Sequence, residues 1–286
     1  MEQFIHKIRS FLAWVMITLP FVAVAQSGFS LLEADTNIPR LYGKKDNADY
    51  LCVTAGDRLY SIGDQAGNFP AVGFHVPGEM GGVWQQPIKL LDGFRLNITN
   101  RKTAVNQQLD KADSFITYSF TSQFLYSLPS LNLRVTRTQF VPDNIPLLVV
   151  EYAITNDDDV DKELTVQFAA DVNLRPVWLG ERTGMIDSTD ELLSFDKQTG
   201  TMFFKDNKNS WFTGISSENR SLNFDGIRKS VYRGKGLAGG LSVLIKVGKG
   251  KTNFVRFYIS GSNQNKDEVV RNIALAKKQS IPIIYI

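Results

Sequence analysis

Two glutamates stand near a tryptophan in glycine-bearing stretches of the sequence, and their chemistry is considered first. Glu79 lies in "GEMGGVW", which ends at Trp84, and Glu181 lies in "RPVWLGER", which contains Trp178. Glycoside hydrolysis uses two carboxyl groups about 5 to 9.5 Å apart across the scissile bond. The sequence does not show that these two carboxyl groups converge. Glu79 and Glu181 are therefore the candidate catalytic residues, and a non-catalytic role is the favoured interpretation of both.

The same two stretches carry side chains suited to binding a sugar. A tryptophan ring offers a flat apolar surface, and arginine, glutamate and glutamine can hydrogen-bond to hydroxyl groups. The alternative for each tryptophan is packing beneath its own loop, with the neighbouring charges paired to one another. Both interpretations stay open, and the candidate substrate-binding residues are Trp84, Arg175, Trp178, Glu181 and His75.

The sequence offers few residues for metal or nucleophilic chemistry. His75 is one of only two histidines, and the other, His6, lies in the leader-like start of the chain. A zinc site needs several His or Cys ligands, and no G-x-S-x-G motif accompanies His75 for a catalytic triad. The alternating aspartates of "NDDDVDKE" lack the glycine and final glutamate of a calcium-binding EF-hand loop. We expect no metal and no cofactor, and we interpret the acidic stretch as a solvated hairpin tip.

The single cysteine restricts redox chemistry. Cys52 lies in the apolar stretch "YLCVTAG" and has no second cysteine with which to form an internal disulfide. A thiol within an apolar strand is protonated and unreactive. We interpret Cys52 as a core residue.

Charge and length limit the classes of partner and fold. The chain has 286 residues, enough for one large all-β domain or two ordinary domains. Its formal net charge is only +3, with basic residues scattered along the sequence. A nucleic-acid-binding protein instead clusters its basic residues on one face. We expect no nucleic-acid partner.

The first residues have the features of a secretory signal. Lys7 and Arg9 precede an apolar run, and Ala23 and Ala25 form a small-residue cleavage pattern. The run is short for a membrane span and Pro20 interrupts it, which argues against an uncleaved anchor. We expect residues 1–25 to be a signal peptide and the protein to be secreted or periplasmic, with no membrane contact after cleavage.

Short strands with turn residues between them fill the chain from residue 48 onward. "DYLCVTAGDRLYSIG" predicts a hairpin around Gly56-Asp57, and "SFITYSFTSQFLY" alternates as one half-buried strand would. "PLLVVEYAITN" and "KELTVQFAADV" flank "NDDDVD" and predict a long antiparallel hairpin. Asp92 before Gly93 is interpreted as a turn residue, and Asp171 as a residue at a strand end. The pattern predicts a large antiparallel β-sandwich and excludes parallel α/β folds.

One helix follows the strands. "NKDEVVRNIALAKKQ" has acidic residues near its start and lysines near its end, as the helix dipole favours. The chain then ends on the apolar stretch "SIPIIYI", so we expect a further domain to follow. The predicted organisation is a signal peptide at 1–25, an extension at 26–47, the sandwich at 48–264 and a linker helix at 265–286.

Four stretches in this order resemble the N-terminal β-sandwich module of secreted bacterial glycoside hydrolases whose catalytic part is a six-hairpin α/α barrel. Within that group the sequence is most similar to glycogen-debranching or amylo-α-1,6-glucosidase-like proteins. The resemblance covers approximately residues 48 to 262, and "PVWLGER" after "FAADV" is its most distinctive part. The four stretches are "VTAGDRLYSIG", "GEMGGVWQQPIKLLDGF", "FVPDNIPLLVVEYAITN" and "AADVNLRPVWLGER".

The resemblance implies a division of labour between domains. In such enzymes the sandwich packs against the barrel through a linker helix, and the catalytic carboxylates lie on barrel loops. It therefore implies a non-catalytic module that braces an α/α-barrel partner and contributes Trp178, Arg175 and Glu181 to a sugar-binding rim. Two alternatives remain: a stand-alone carbohydrate-binding protein that uses Trp84 and Trp178, and a complete small glycosidase that uses Glu79 and Glu181.

Overall fold

Alternating apolar and polar residues build the strands of this protein, because successive side chains of a strand point to opposite faces of its sheet. In the computed structural model the strands form two large antiparallel sheets, followed by one helix near the C-terminus. The predicted fold class is confirmed. The signal segment predicted at 1–25 lies outside the described residues. The structure describes residues 32–33, 39–43, 47–76, 78–219, 221–278 and 284–285.

The described residues contain nineteen strands, one α-helix and three short 3-10 turns. The helix α1 is Lys266–Lys278, and the turns are Asn47–Asp49, Pro129–Leu131 and Gly180–Thr183. The strands are β1 Leu32–Glu33, β2 Leu41–Tyr42, β3 Leu51–Ala55, β4 Tyr60–Asp64, β5 Gly82–Gln85, β6 Ile88–Asn100, β7 Asn106–Gln108, β8 Ser114–Thr117, β9 Thr121–Leu128, β10 Leu133–Phe140, β11 Leu147–Asn156, β12 Lys162–Pro176, β13 Asp190–Asp196, β14 Thr201–Asp206, β15 Phe212–Ser217, β16 Leu222–Lys229, β17 Leu237–Val247, β18 Thr252–Ser262 and β19 Ile284–Tyr285.

The two sheets differ in strand order. The nine-stranded sheet runs β13-β14-β15-β18-β11-β10-β9-β8-β2. The eight-stranded sheet runs β16-β17-β12-β6-β5-β4-β3. Its eighth strand, β7, pairs with β6 and lies outside this linear order. The short strands β1 and β19 pair with each other in parallel. In the eight-stranded sheet, β12 and β6 lie near the centre, so side chains on these two strands have neighbours on both sides.

The core lies between the inner faces of the two sheets. Phe168 of β12 stacks on Phe257 of β18 with ring centroids 4.2 Å apart, and Phe94 of β6 stacks on Phe168 at 5.3 Å. Cys52 is buried in the same core, and burial raises the pKa of its thiol to about 12. Its environment agrees with the prediction of an unreactive core thiol.

Helix α1 covers the outer face of the nine-stranded sheet. Its buried residues Val269 and Ile273 join Leu147 and Val149 of β11 in a second apolar cluster. The Asn265 side chain accepts a hydrogen bond of 2.9 Å from the Glu268 N–H and so caps the start of the helix. No helix in the described part of the chain has both the length and the apolar character needed to cross a bilayer.

Two predictions about strand connections were wrong. "SFITYSFTSQFLY" is a hairpin of β8 and β9, with Tyr118 donating its N–H to Thr121, because both of its halves alternate in the same way. Strands β11 and β12 do not pair. β11 lies between β10 and β18 in one sheet, and β12 lies between β17 and β6 in the other. The acidic connection 157–161 therefore crosses between the sheets, and Asp157 pairs with Arg134 at 2.7 Å.

Candidate functional site

A row of polar side chains follows β12 on the outer face of the eight-stranded sheet. Val172 and Leu174 point into the core, so the alternate residues Asp171, Asn173 and Arg175 point away from it. We call these three residues the outer polar row. Asp171 and Asn173 are nevertheless 0% and 2% exposed, because loops cover this end of the sheet. Buried polar side chains of this kind require hydrogen-bond partners, which the neighbouring strand and loops supply.

Lys89 and Asp92 of β6 extend the outer polar row sideways. The Lys89 Nζ donates to Asp92 Oδ1 and to Gly78 O, both at 2.7 Å, and Asn173 Nδ2 donates to Asp92 Oδ2 at 2.8 Å. Burial lowers the pKa of Lys89, and the Asp92 carboxylate opposes that shift. The prediction that Asp92 is a turn residue was wrong. It lies within β6, where the register against β12 shifts, and such bulges redirect side chains.

Asp171 is a second buried ionic centre of the row. Arg95 Nη2 donates to Asp171 Oδ2 at 2.9 Å, and the Ser230 hydroxyl donates to Asp171 Oδ1 at 2.9 Å. The prediction that Asp171 ends its strand was wrong, because β12 continues to Pro176. The bond from Ser230 attaches the segment after β16 to the sheet. Tyr232, in the same segment, donates its hydroxyl to Phe69 O at 2.9 Å.

Glu79 organises the loop that precedes β5. One carboxylate oxygen accepts the N–H groups of Phe74 at 2.6 Å and His75 at 2.8 Å, and the other accepts the N–H of Val76 at 3.0 Å. Burial by itself would raise the pKa of Glu79, but these bonds lower it to about 2. A carboxylate held in this way is ionised at neutral pH and has no proton to donate to a leaving group. Its contacts are those of a loop-organising residue.

His75 and Trp178 meet above this loop although they are far apart in sequence. Their rings stack with centroids 4.2 Å apart and an interplanar angle of 15°. The Arg182 guanidinium lies 5.9 Å from the centroid of the Trp178 ring. Trp178 is 40% exposed and Phe74, beside His75, is 88% exposed. We call Phe74, His75 and Trp178 the aromatic patch.

Trp84 lies elsewhere, beneath the loop. It is 2% exposed, and its indole N–H donates to Met80 O at 3.0 Å and to Gly81 O at 3.1 Å. The Lys89 ammonium lies 5.4 Å from its ring centroid. The adjacent Gly82 has φ +99, and a Cβ there would lie 2.1 Å from Leu91 O, so this position requires glycine. The ring of Trp84 is buried and anchors the loop, and it presents no open face to solvent.

Arg175 and Glu181 flank the segment that carries Trp178. Arg175 is paired in register with Lys89, and its charge acts on Lys89 and on Asp187. Glu181 lies in the 3-10 turn Gly180–Thr183, and its side chain lies outside the described residues. Sequence reasoning therefore identified Arg175 in the row and His75 with Trp178 in the patch. Whether these residues bind a substrate remains a prediction.

Asp190 is a member of the site that sequence reasoning missed. Its Oδ2 accepts the Leu174 N–H at 2.9 Å. Burial raises the pKa of the Asp190 carboxyl, the Leu174 bond opposes the rise, and the carboxylates of Asp206 and Asp187 add to it, which leaves the pKa at about 8. Asp190 does not lie in a glycine-bearing stretch near a tryptophan, which is the pattern that made Glu79 and Glu181 candidates. The alternation of "AADVNLR" does distinguish the outer polar row from the core residues.

The described part of the chain holds no group of three or more His, Cys, Asp or Glu residues placed to hold a metal ion. The site instead combines hydrogen-bond donors, acceptors and an exposed aromatic patch. Sugar hydroxyl groups both donate and accept hydrogen bonds, and sugar ring faces stack on aromatic rings. This combination suits a polyhydroxylated ligand.

No protein-family model and no curated protein sequence matches this chain. Solved structures share its fold at low sequence identity. A bacterial glucoamylase complexed with acarbose has a TM-score of 0.55 and 10% identity, over 86% of this chain and 36% of the glucoamylase. A candidate aldose 1-epimerase from Escherichia coli K12 has a TM-score of 0.52 and 9% identity, over 74% of this chain and 98% of that protein.

A candidate kojibiose phosphorylase from the human microbiome has a TM-score of 0.46 and 12% identity, over 82% of this chain and 33% of that protein. This chain thus spans only about a third of the length of the phosphorylase and the glucoamylase. At these identities the likeness to the glucoamylase and to the candidate epimerase shows a shared β-sandwich fold.

Proposed function

We propose that this chain is the non-catalytic sandwich module of a secreted glycoside hydrolase acting on an oligo- or polysaccharide, with α-glucan the first substrate to test. In this proposal the sandwich braces an α/α-barrel catalytic domain, and the aromatic patch contributes to sugar binding. The observation that carries the proposal is the stacked, 40% exposed ring of Trp178 at the end of the outer polar row. The sandwich fold shared with the glucoamylase supports it.

The geometry of the aromatic patch suits one face of a sugar. His75 stacks on the Trp178 ring and holds it in place, so the ring loses little freedom when a ligand arrives. The next residue, Leu179, is 45% exposed, and the Arg182 guanidinium near the ring can donate to the hydroxyl groups of a ligand. Arg175, which pairs in register with Lys89, supplies a further cation in the row.

Glu79 supports the non-catalytic part of the proposal. Its carboxylate is occupied by three backbone N–H groups and its pKa is about 2, so it is unsuited to act as a general acid. We expect the purified chain to release no reducing sugar from starch or glycogen. Release that disappears in Glu79→Gln would instead support the small glycosidase.

Affinity electrophoresis tests sugar binding directly. We expect gels containing starch or glycogen to retard the wild-type chain, and the Trp178→Ala variant to migrate as it does without polysaccharide. Phe120→Ala is the matched control, since Phe120 is a 36% exposed aromatic residue in the β8–β9 turn of the other sheet. Unchanged wild-type mobility in both polysaccharides would count against an α-glucan ligand, and retardation that survives Trp178→Ala would remove the aromatic patch from the proposal.

The bracing role has a separate test. The DNA that follows the codon for Ile286 should encode an α-helical barrel, in frame or after a frameshift, and an unrelated gene there would contradict bracing. One observation favours the alternative of a stand-alone carbohydrate-binding protein. The candidate aldose 1-epimerase is matched over 98% of its length, so in that protein the sandwich is nearly the whole chain.

A further inference from the structure

A polar cleft opens on the outer face of the eight-stranded sheet, away from the aromatic patch. Its volume is about 80 Å³. Gln167, at the cleft, and Arg175, near the patch, are eight residues apart on β12, about 26 Å at 3.3 Å per residue. The buried Asp171 and the Ser230 bond to it lie between them. The cleft is lined by Arg95, Asn97, Gln108, Gln167, Asp225 and Arg228, with Phe168 and Ala169.

Three polar atoms of this lining have no hydrogen-bond partner in the described chain: Arg95 Nε, Asn97 Oδ1 and Asp225 Oδ2. All three are shielded from solvent, and leaving such a group unpaired costs about 1–3 kcal/mol. Asn97 and Asp225 are only half-buried as whole residues, and both line the cleft. One donor and two acceptors without a partner therefore belong to residues that line one small space.

The local backbone places Asp225 at the cleft. The β16–β17 register shifts between Phe224 and Ile227, and Gly226 within this bulge has φ +85. Bulges redirect side chains. The Ser242 hydroxyl holds the other oxygen, Asp225 Oδ1, at 2.6 Å, which leaves Oδ2 for a ligand.

We propose that this cleft is a second carbohydrate-binding site, which takes the hydroxyl-bearing edge of a neutral sugar. The inference rests on the proposed function and adds a site separate from the aromatic patch. At roughly 30 Å³ per water molecule, the cleft holds two or three hydroxyl-sized groups, so a pyranose lies across its mouth with one edge inside. The Arg95 charge is neutralised by Asp171, and the cleft lining holds one further cation, Arg228, and one further carboxylate, Asp225, which favours a neutral ligand over an anion.

Two side-chain N–H signals in ¹H–¹⁵N NMR spectra report on the two sites separately. The Arg95 Nε–H reports on the cleft and is assigned by its absence in Arg95→Lys, and the Trp178 indole N–H reports on the patch. The probes are maltotriose, cellotriose and mannotriose. We expect at least one of them to shift the Arg95 signal saturably. Asp225→Asn should weaken that binding about tenfold or more, because a donor replaces the Oδ2 acceptor.

Asp159→Asn, in the distant 157–161 connection, is the matched control and should bind as the wild type does. Asn97→Ala provides a second cleft variant if Asp225→Asn loses its fold, as judged by the thermal midpoint. If the trisaccharides shift the Trp178 indole signal but not the Arg95 Nε–H signal, the cleft does not bind sugar. This inference is then overturned, while the proposed function stands. If the Arg95 Nε–H signal shifts and the Trp178 indole signal does not, the cleft binds the sugar and the aromatic patch does not. A response of Arg95 to glucuronate alone also overturns the neutral-sugar assignment.

Discussion

The two sheets of this sandwich bury their outer faces in opposite ways. On the nine-stranded sheet, α1 places Val269 and Ile273 against an apolar surface. On the eight-stranded sheet, loops cover Asp171 and Asn173 as completely, although both are polar. Apolar burial stabilises a fold directly, whereas a buried, hydrogen-bonded polar group contributes little net stability and an unpaired one is costly. The first face is therefore held by apolar contacts, and the second by hydrogen bonds and ion pairs between buried polar groups.

Breaking an ion pair of the polar face should have the largest effect on stability. Lys89 and Asp92 are 1% and 7% exposed, so Lys89→Met leaves a buried carboxylate without its cation. We expect the free energy of unfolding to fall by about 3–5 kcal/mol in urea denaturation. The double variant Lys89→Met/Asp92→Leu should recover much of this loss, because it removes both charges. A loss below about 1 kcal/mol in the single variant would show that water reaches the pair.

Removing an apolar contact of the other face should cost slightly less. Ile273 is 3% exposed between α1 and the sheet, and Ile273→Ala leaves a cavity there. We expect a loss of about 2–4 kcal/mol in the free energy of unfolding, with α1 detaching before the sandwich unfolds. Val270→Ala, at a position 38% exposed on the same helix, is the control and should change stability by no more than about 0.5 kcal/mol. Equal losses in both variants would show that Val270 contributes as much to packing as Ile273, so that α1 contacts the sheet through a different face.

Asp190, which begins β13 of the nine-stranded sheet and accepts the Leu174 N–H of β12, should make stability depend on pH. The pKa of Asp190 is about 8 in the folded chain against an ordinary 3.8, so the folded state binds more protons between these values. This stability is fully present below pH 3.8 and is lost as the pH rises to about 8, at no more than about 1.4 kcal/mol per pH unit. Asp190→Asn should remove that slope, measured as urea midpoints from pH 5 to 8.5. An unchanged slope would exclude Asp190 as its source.

Local patterns predicted more of the fold than of the site. The apolar pattern of "KELTVQFAADV" was enough to predict a strand, and the charge distribution of "NKDEVVRNIALAKKQ" was enough to predict α1. Neither pattern shows which sheet a strand joins, so β11 and β12 were wrongly paired. The stacking of His75 on Trp178 depends on how two distant loops meet over the sheet, and no local spacing encodes that contact.

The two tryptophans of the candidate site should differ in their exposure to a quencher. Replacing either of them by phenylalanine should leave the chain folded. Trp178 is 40% exposed, whereas Trp84 and Trp211 are 2% and 5% exposed, so iodide should quench only the Trp178 part of the fluorescence of the described residues. In a chain that begins at Gln26 and so lacks Trp14, Trp178→Phe should abolish iodide quenching and change the free energy of unfolding by no more than about 0.5 kcal/mol. Trp84→Phe should keep the quenching and cost about 1–3 kcal/mol, since it loses the indole bonds to Met80 and Gly81. Quenching that persists in Trp178→Phe would mean that the loop over Trp84 opens in solution, and Trp84 would then return as a sugar-stacking residue.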